Sequence, residues 1–137
     1  HQERLSEVIK QLKAAGITVS LFIDPDIGQI EAAAAVGAPV VELHTGRYAD
    51  AHTEQIRRDE LENIQVAGAK ALELGLILNA GHGLNYHNVQ EGAVIPGMHE
   101  LNIGHAIVAR ALSDGMAKAV ADMKRLMREA ALHGPAG

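Results

Sequence analysis

The sequence predicts an α/β fold in which four parallel strands alternate with helices. Three observations carry that prediction. Short β-branched or apolar runs alternate with longer segments of helical periodicity. Glycine punctuates the helix ends at Gly16, Gly37 and Gly75. Apolar residues make up 47 % of the 137-residue chain, yet Phe22, Tyr48 and Tyr86 are the only aromatics. A core of Leu, Ile, Val and Ala suits helices stacked on a buried sheet, and the length suffices for one domain with a real core.

The elements follow in order. Gln2 to Ala15 places Leu5, Val8, Ile9 and Leu12 at helical spacing, ended by Gly16. Thr18 to Ile23 is β-branched and apolar, a strand broken by Asp24-Pro25-Asp26, with Asp26 placed to cap the next helix. That helix runs from Ile27 to Val36. Val40 to His44 is the second strand, followed by a loop through Thr45-Gly46-Arg47-Tyr48-Ala49. A long helix spans Arg58 to Leu74, and Leu76 to Ala80 is the third strand. After Gly81-His82-Gly83 comes a short helix over Asn88 to Ala93, then a fourth strand over Leu101 to Gly104. Helical sequence resumes at His105, pauses at Ser113-Asp114-Gly115 and continues to Leu132, with a loose tail expected over Gly134 to Gly137. This alternation implies parallel strands joined by right-handed crossovers. A doubly wound sheet and a TIM (β/α)8 barrel both accommodate it. A whole barrel needs eight strands and about 250 residues, so four strands make close to half of one. The chain opens on helical residues without an initiator Met, as a segment of a longer protein would.

Composition excludes several function classes. The net charge is −5 and Lys and Arg form no long run, which argues against nucleic-acid or anionic-membrane partners. The aromatics are too few for base-stacking platforms. Without cysteine there are no disulfides, thiolate metal sites or Cys nucleophiles. A small secreted domain would want such staples, so a cytoplasmic location is expected. No apolar run reaches membrane-spanning length, and the N-terminus is not a signal peptide.

The chemistry concentrates at strand ends. Leu78-Asn79-Ala80-Gly81-His82-Gly83 and Leu101-Asn102-Ile103-Gly104-His105-Ala106 repeat the pattern Leu-Asn-x-Gly-His-small. In a barrel, the C-terminal ends of the strands form the catalytic face, and the loops after the last two strands often bind phosphate. Glycine lets backbone approach an anion, and free N–H groups at a helix start bind it. The helix opening at His105 suits that role. Each Gly-His pair taken alone is equally compatible with a plain turn; the tandem favours an anion site. On the second strand, Val41 and Leu43 share one face while Val40, Glu42 and His44 share the other. With Val41 and Leu43 toward the helices, Glu42 points inward, where a carboxylate needs a partner or a function. The bland reading of Glu42 is a solvated residue or a structural ion pair. His44, His82, His87 and His105 all fall near one mouth, but no His-Glu-x-x-His is present, and no metal site is predicted. His1, His52, His99 and His133 read as surface residues. The Arg47–Gln55 loop reads equally as a lid or a solvated loop, and Met123 with Met127 as a packing stripe.

Several strings together carry a family likeness: Ile17 to Asp24, Glu42-Leu-His-Thr-Gly46 with Tyr48-Ala49, Asn79 to Leu84 with Tyr86-His-Asn88, and Glu100 to Ala106. Over nearly its whole length the chain resembles the pyridoxine 5′-phosphate synthase family of the deoxyxylulose-dependent vitamin B6 pathway. The resemblance implies that residues 1–137 are the C-terminal half of a single (β/α)8 barrel domain, in an enzyme that assembles as a homo-octamer. It implies a transferase-type synthase condensing 1-deoxy-D-xylulose 5-phosphate with 3-amino-2-oxopropyl phosphate. The products would be pyridoxine 5′-phosphate, phosphate and water, with no metal or organic cofactor. By position, His82 resembles the family's proton donor and Glu42 its transition-state-stabilising carboxylate. Gly83, Gly104 and His105 resemble its binders of the amino-oxopropyl phosphate. The family's Asn-x-Asp-His motif, a further acid–base His, a catalytic Glu and substrate-binding arginines belong to the first four strands, and none occurs here. The expected partner is therefore the N-terminal half of the barrel, without which this chain would be inactive. The rival readings are another phosphate-binding barrel acting on sugar phosphates, and a non-catalytic half-barrel. No strand carries a Lys for Schiff-base aldolase chemistry.

Overall fold

A computed structural model describes residues 1–134. The elements, in order, are α1 (Gln2–Ala14), β1 (Ser20–Ile23), α2 (Ile27–Ala35), β2 (Val40–His44), α3 (Gly46–Ala49), α4 (Glu54–Glu73), β3 (Ile77–Gly81), α5 (Val89–Ala93), β4 (Met98–Asn102), α6 (His105–Asp114) and α7 (Met116–His133). The expected tail lies, beyond Gly134, outside the described residues. Among the described residues no helix is long and apolar enough to cross a membrane.

Local chemistry explains most boundaries. Asp26 caps α2 by accepting from the Gln29 N–H at 2.9 Å. Thr53 does the same for α4, accepting from Ile56 N–H at 3.2 Å. That cap starts α4 four residues before the expected Arg58, because the apolar periodicity begins later than the cap. α6 and α7 separate at Gly115, whose φ of +82° interrupts the helical path where Ser-Asp-Gly predicted a pause. Two expectations need correction. β4 is centred on Glu100 rather than on the Leu101–Gly104 stretch, since pairing with β3 recruits Met98 and His99 and leaves Ile103 and Gly104 to the turn. Residues 46–49 form a helical turn instead of open loop.

The four strands are all parallel and lie in the order β1-β2-β3-β4. This decides between the two candidate architectures. A doubly wound sheet reverses its strand order at a switch point, whereas a barrel adds each strand beside the last. The molecule is an α/β fold of the second kind, a partial TIM barrel of four parallel strands. The helix-facing side of the sheet carries the core: Val41, Leu43, Leu78 and Ala80 pack against Ile30 and Ala33 of α2 and Ile64, Ala67 and Ala71 of α4. Val41, Leu43 and Leu78 are completely buried, and each such side chain is worth about 1.5–3 kcal/mol. A second cluster seats Ile9 of α1 on Val36 and Ala38, beside Val19 and Leu21. Met123 is buried on α7, as a packing stripe requires. The other side of the sheet aligns Phe22, Glu42, Asn79 and Glu100 in one row, and His44, Gly81 and Asn102 in the next row toward the strand ends.

Candidate functional site

A cleft of about 520 Å³ opens at the C-terminal ends of the strands. Glu42, His82, Gly83, Gly104 and His105 all line it, together with Phe22 and Asn102. The structure thus brings the five candidate catalytic and phosphate-binding residues to one place, while His44 lines neighbouring surface beside His82. His87 does not line the cleft; it sits in the 85–88 turn, where its N–H donates to Asn85 Oδ1 at 2.8 Å. Among the described residues, no group of three His, Cys, Asp or Glu is placed to hold a metal ion.

Glu42 faces the cleft because Val41 and Leu43 are committed to the core. Its Oε2 accepts from Asn102 Nδ2 at 3.0 Å across β3. That reach depends on Gly81, which sits in register between His44 and Asn102. A Cβ at Gly81 would lie 2.4 Å from Glu42 Oε1 and 2.9 Å from the Asn102 carbonyl oxygen. Burial pushes the Glu42 carboxyl above its ordinary range; the Asn102 hydrogen bond pulls it down, and the charge of Glu100 pushes it up again. Neighbouring Asn79 is buried with its Oδ1 unpartnered. An oxygen desolvated without a donor costs about 1–3 kcal/mol, so this interior row is not arranged for stability alone.

His82 closes β3 with φ +82°, the one positive-φ residue other than glycine among those described. Such a conformation costs on the order of 1–3 kcal/mol and persists only where the surroundings hold it. Thr45, buried at the end of β2, places its hydroxyl 2.7 Å from the Gly81 carbonyl and 2.5 Å from that of His82. The His44 ring lies 4.7 Å from the His82 ring at a 38° tilt, and meets Phe22 edge-on at 5.3 Å. Asp24 Oδ1 stands 3.7 Å from His44 Nδ1.

The two glycines proposed for the anion differ. Gly83 has φ +78°, and a Cβ there would meet the Ala49 Cβ at 2.6 Å, so the turn itself demands glycine. At Gly104 a Cβ would meet nothing within 4 Å; its backbone is open to the cleft. Gly104 is the N-cap of α6 and makes no side-chain cap, so the first-turn amides of that helix, which starts at the cleft with His105 and Ala106, receive no cap from it.

The 47–55 segment is neither lid nor free loop at its start. Tyr48 is buried, its hydroxyl within 2.7 Å of the Asn88 carbonyl and 2.6 Å of Glu91 Oε2. Arg57 pairs with the same Glu91. Further along the loop after β3, Tyr86 donates to the Ala119 carbonyl at 2.9 Å, and Arg110 stacks 4.6 Å over its ring. These contacts hold the β3 loop between α4 and α7. Sequence reasoning missed Thr45, Gly81 and Asn102 as parts of the site. Asn102 and Gly81 were visible as the shared Asn and Gly of the repeat; Thr45 was visible only as part of the Glu42-Leu-His-Thr-Gly46 string.

Fold and site together define an α/β barrel-type protein with a polar cleft of Gly-His loops at its strand ends. The family model described as pyridoxal phosphate biosynthesis protein PdxJ matches residues 1–129. The chain is 57 % identical over 130 residues to a curated pyridoxine 5′-phosphate synthase of Magnetococcus marinus, a match covering 95 % of this chain and 54 % of that protein. The chain belongs to the PdxJ family, a family of synthases in pyridoxal phosphate biosynthesis, and it spans about half the length of the curated relative it matches.

Proposed function

We propose that this chain carries the C-terminal half, residues 1–137, of a (β/α)8 pyridoxine 5′-phosphate synthase. In this reading the whole barrel condenses 1-deoxy-D-xylulose 5-phosphate with 3-amino-2-oxopropyl phosphate. The observation that carries it is the convergence of Glu42, His82, Gly83, Gly104 and His105 on a single cleft in a chain of this family.

The chemistry asks for such a set. Building a pyridine ring from an amine and two ketones requires imine formation, dehydrations and loss of phosphate, and each step moves protons. His82 serves as the proton donor, held at a fixed angle at the end of β3. Glu42 stabilises positive charge developing as the ring closes, through a preorganised carboxylate already anchored to Asn102. The open backbone at Gly104 and the first-turn amides of α6 receive the amino-oxopropyl phosphate beside His105, and Gly83 shapes the facing loop. The remaining acids, bases and phosphate contacts come from the other half of the barrel, so turnover belongs to the whole enzyme. A cytoplasmic homo-octamer is the expected assembly. No metal or organic cofactor is assigned a step.

Incubating the assembled enzyme with both substrates and following pyridoxine 5′-phosphate and phosphate release tests the reading. Equal amounts of both products support it. His82→Ala is expected to lower turnover about 10²–10⁴-fold, the range for one acid–base group. No product from the parent enzyme, or normal turnover with an unchanged pH profile in His82→Ala, would contradict the respective assignment.

A further inference from the structure

We propose that Thr45 is a positioning residue that holds His82 in its strained conformation and so sets the direction of its imidazole. The inference rests on the proton-transfer role proposed above for His82. Three observations carry it. First, His82 has φ +82°, a region where a Cβ crowds the backbone and which non-glycine residues leave unless restrained. Both sequence neighbours are glycines, so the turn contains residues for which such angles are free; the histidine occupies the costly one.

Second, the restraint is local and identifiable. The peptide before the His82 Cα carries the Gly81 carbonyl, and the peptide after it carries the His82 carbonyl. The Thr45 hydroxyl lies within hydrogen-bond distance of both oxygens, at 2.7 and 2.5 Å, sharing its one proton between them. Tying both peptide planes to one oxygen fixes φ and ψ of the residue between them, and with them the Cα–Cβ direction. The Thr45 N–H already continues the β2–β3 ladder by donating to the Gly81 carbonyl at 2.8 Å. The hydroxyl is therefore not needed for strand pairing; what it adds is the bond to His82.

Third, the clamp is sheltered. Thr45 is 3 % exposed, so water does not compete for its hydroxyl. The His44 ring packs on the His82 ring, and the cleft lies beside it. A Cβ on Gly46 would come within 2.6 Å of the His44 ring, so the residue after Thr45 leaves room for that stack.

Thr45→Val in the assembled enzyme keeps the shape and removes the hydroxyl, while Thr45→Ser keeps the hydroxyl. Thr45→Val is expected to lower kcat on the order of 10²-fold, the penalty for a small misplacement of a reacting group, with KM little changed. Thr45→Ser should stay close to the parent. Combined with His82→Ala, Thr45→Val should cost nothing further, because both act through one imidazole. A second readout is independent of turnover: Thr45→Val should lower the melting temperature in the parent, and by less than half as much in a His82→Gly background, where glycine needs no restraint. Multiplicative losses in the double variant, a Thr45→Ser as impaired as Thr45→Val, or equal melting losses in both backgrounds would overturn the proposal. If His82→Ala turns over normally, the acid–base reading of His82 fails, and the melting comparison alone still decides whether Thr45 restrains it.

Discussion

Burial raises the Glu42 carboxyl above its ordinary value of 4.5, which links its chemistry to stability. An acid that binds its proton more tightly in the folded chain contributes stability below its unfolded value, and that contribution is lost as pH rises through the folded value. Near neutral pH the charge is therefore held at some cost to the fold. Glu42→Gln preserves the acceptor for Asn102 and removes the charge. It is expected to melt no lower than the parent at pH 7, with the difference closing below pH 4.5, while turnover of the assembled enzyme falls about 10²–10³-fold. Thermal melts across pH alongside kcat measurements check this. Normal turnover with a lower melting temperature would instead mark Glu42 as a structural partner. The cost belongs to a site whose neighbour Asn79 also keeps an unpaired buried oxygen.

At the scale of elements, the two Gly-His turns look alike in sequence and differ in what they require. The β3 turn is crowded: Gly83 has positive φ and no room for a Cβ. The β4 turn is open at Gly104, at the start of α6. Substitutions should separate the roles. Gly83→Ala should destabilise the fold by at least about 1–2 kcal/mol, the penalty for a left-handed non-glycine residue, visible in thermal melts. Gly104→Val should fold normally yet weaken binding of inorganic phosphate or of the phosphorylated substrate about tenfold, by filling the space an anion must approach. Isothermal titration of the assembled variants measures it. Unchanged affinity in Gly104→Val, or an anion bound elsewhere with this cleft empty, would move the phosphate site away from α6.

For the whole molecule, the sheet order leaves β1 and β4 as edges, each with an unpaired row of backbone groups. Apolar surface accompanies them. Phe22 on β1 is 55 % exposed, and α6 buries none of its residues, leaving Leu112 88 % exposed. A (β/α)8 barrel abolishes such edges by closure. The 137-residue chain on its own is therefore expected to self-associate or aggregate at micromolar concentration, and sedimentation velocity reads this directly. A stable monomer that unfolds cooperatively would show that four βα units suffice here and would weaken the half-barrel proposal.

Periodicity and punctuation determined the number, type and order of the main elements, because the 3.6- and 2-residue repeats of apolar side chains are local properties of the chain. The alternation around Val41 and Leu43 likewise pointed Glu42 away from the helices, and the tandem Leu-Asn-x-Gly-His pattern marked both loops of the cleft. Periodicity left barrel and doubly wound sheet open; the family resemblance implied the barrel, and the strand order bears it out. Two things were settled only in three dimensions. The position of β4 came from its pairing with β3 rather than from its own apolar run. The support of the catalytic candidates came from residues distant in sequence. Thr45 meets the His82 carbonyl across 37 positions and Asn102 meets Glu42 across 60, over a glycine whose role is to have no side chain. Such contacts depend on register between strands, and register is fixed by tertiary packing of the buried faces.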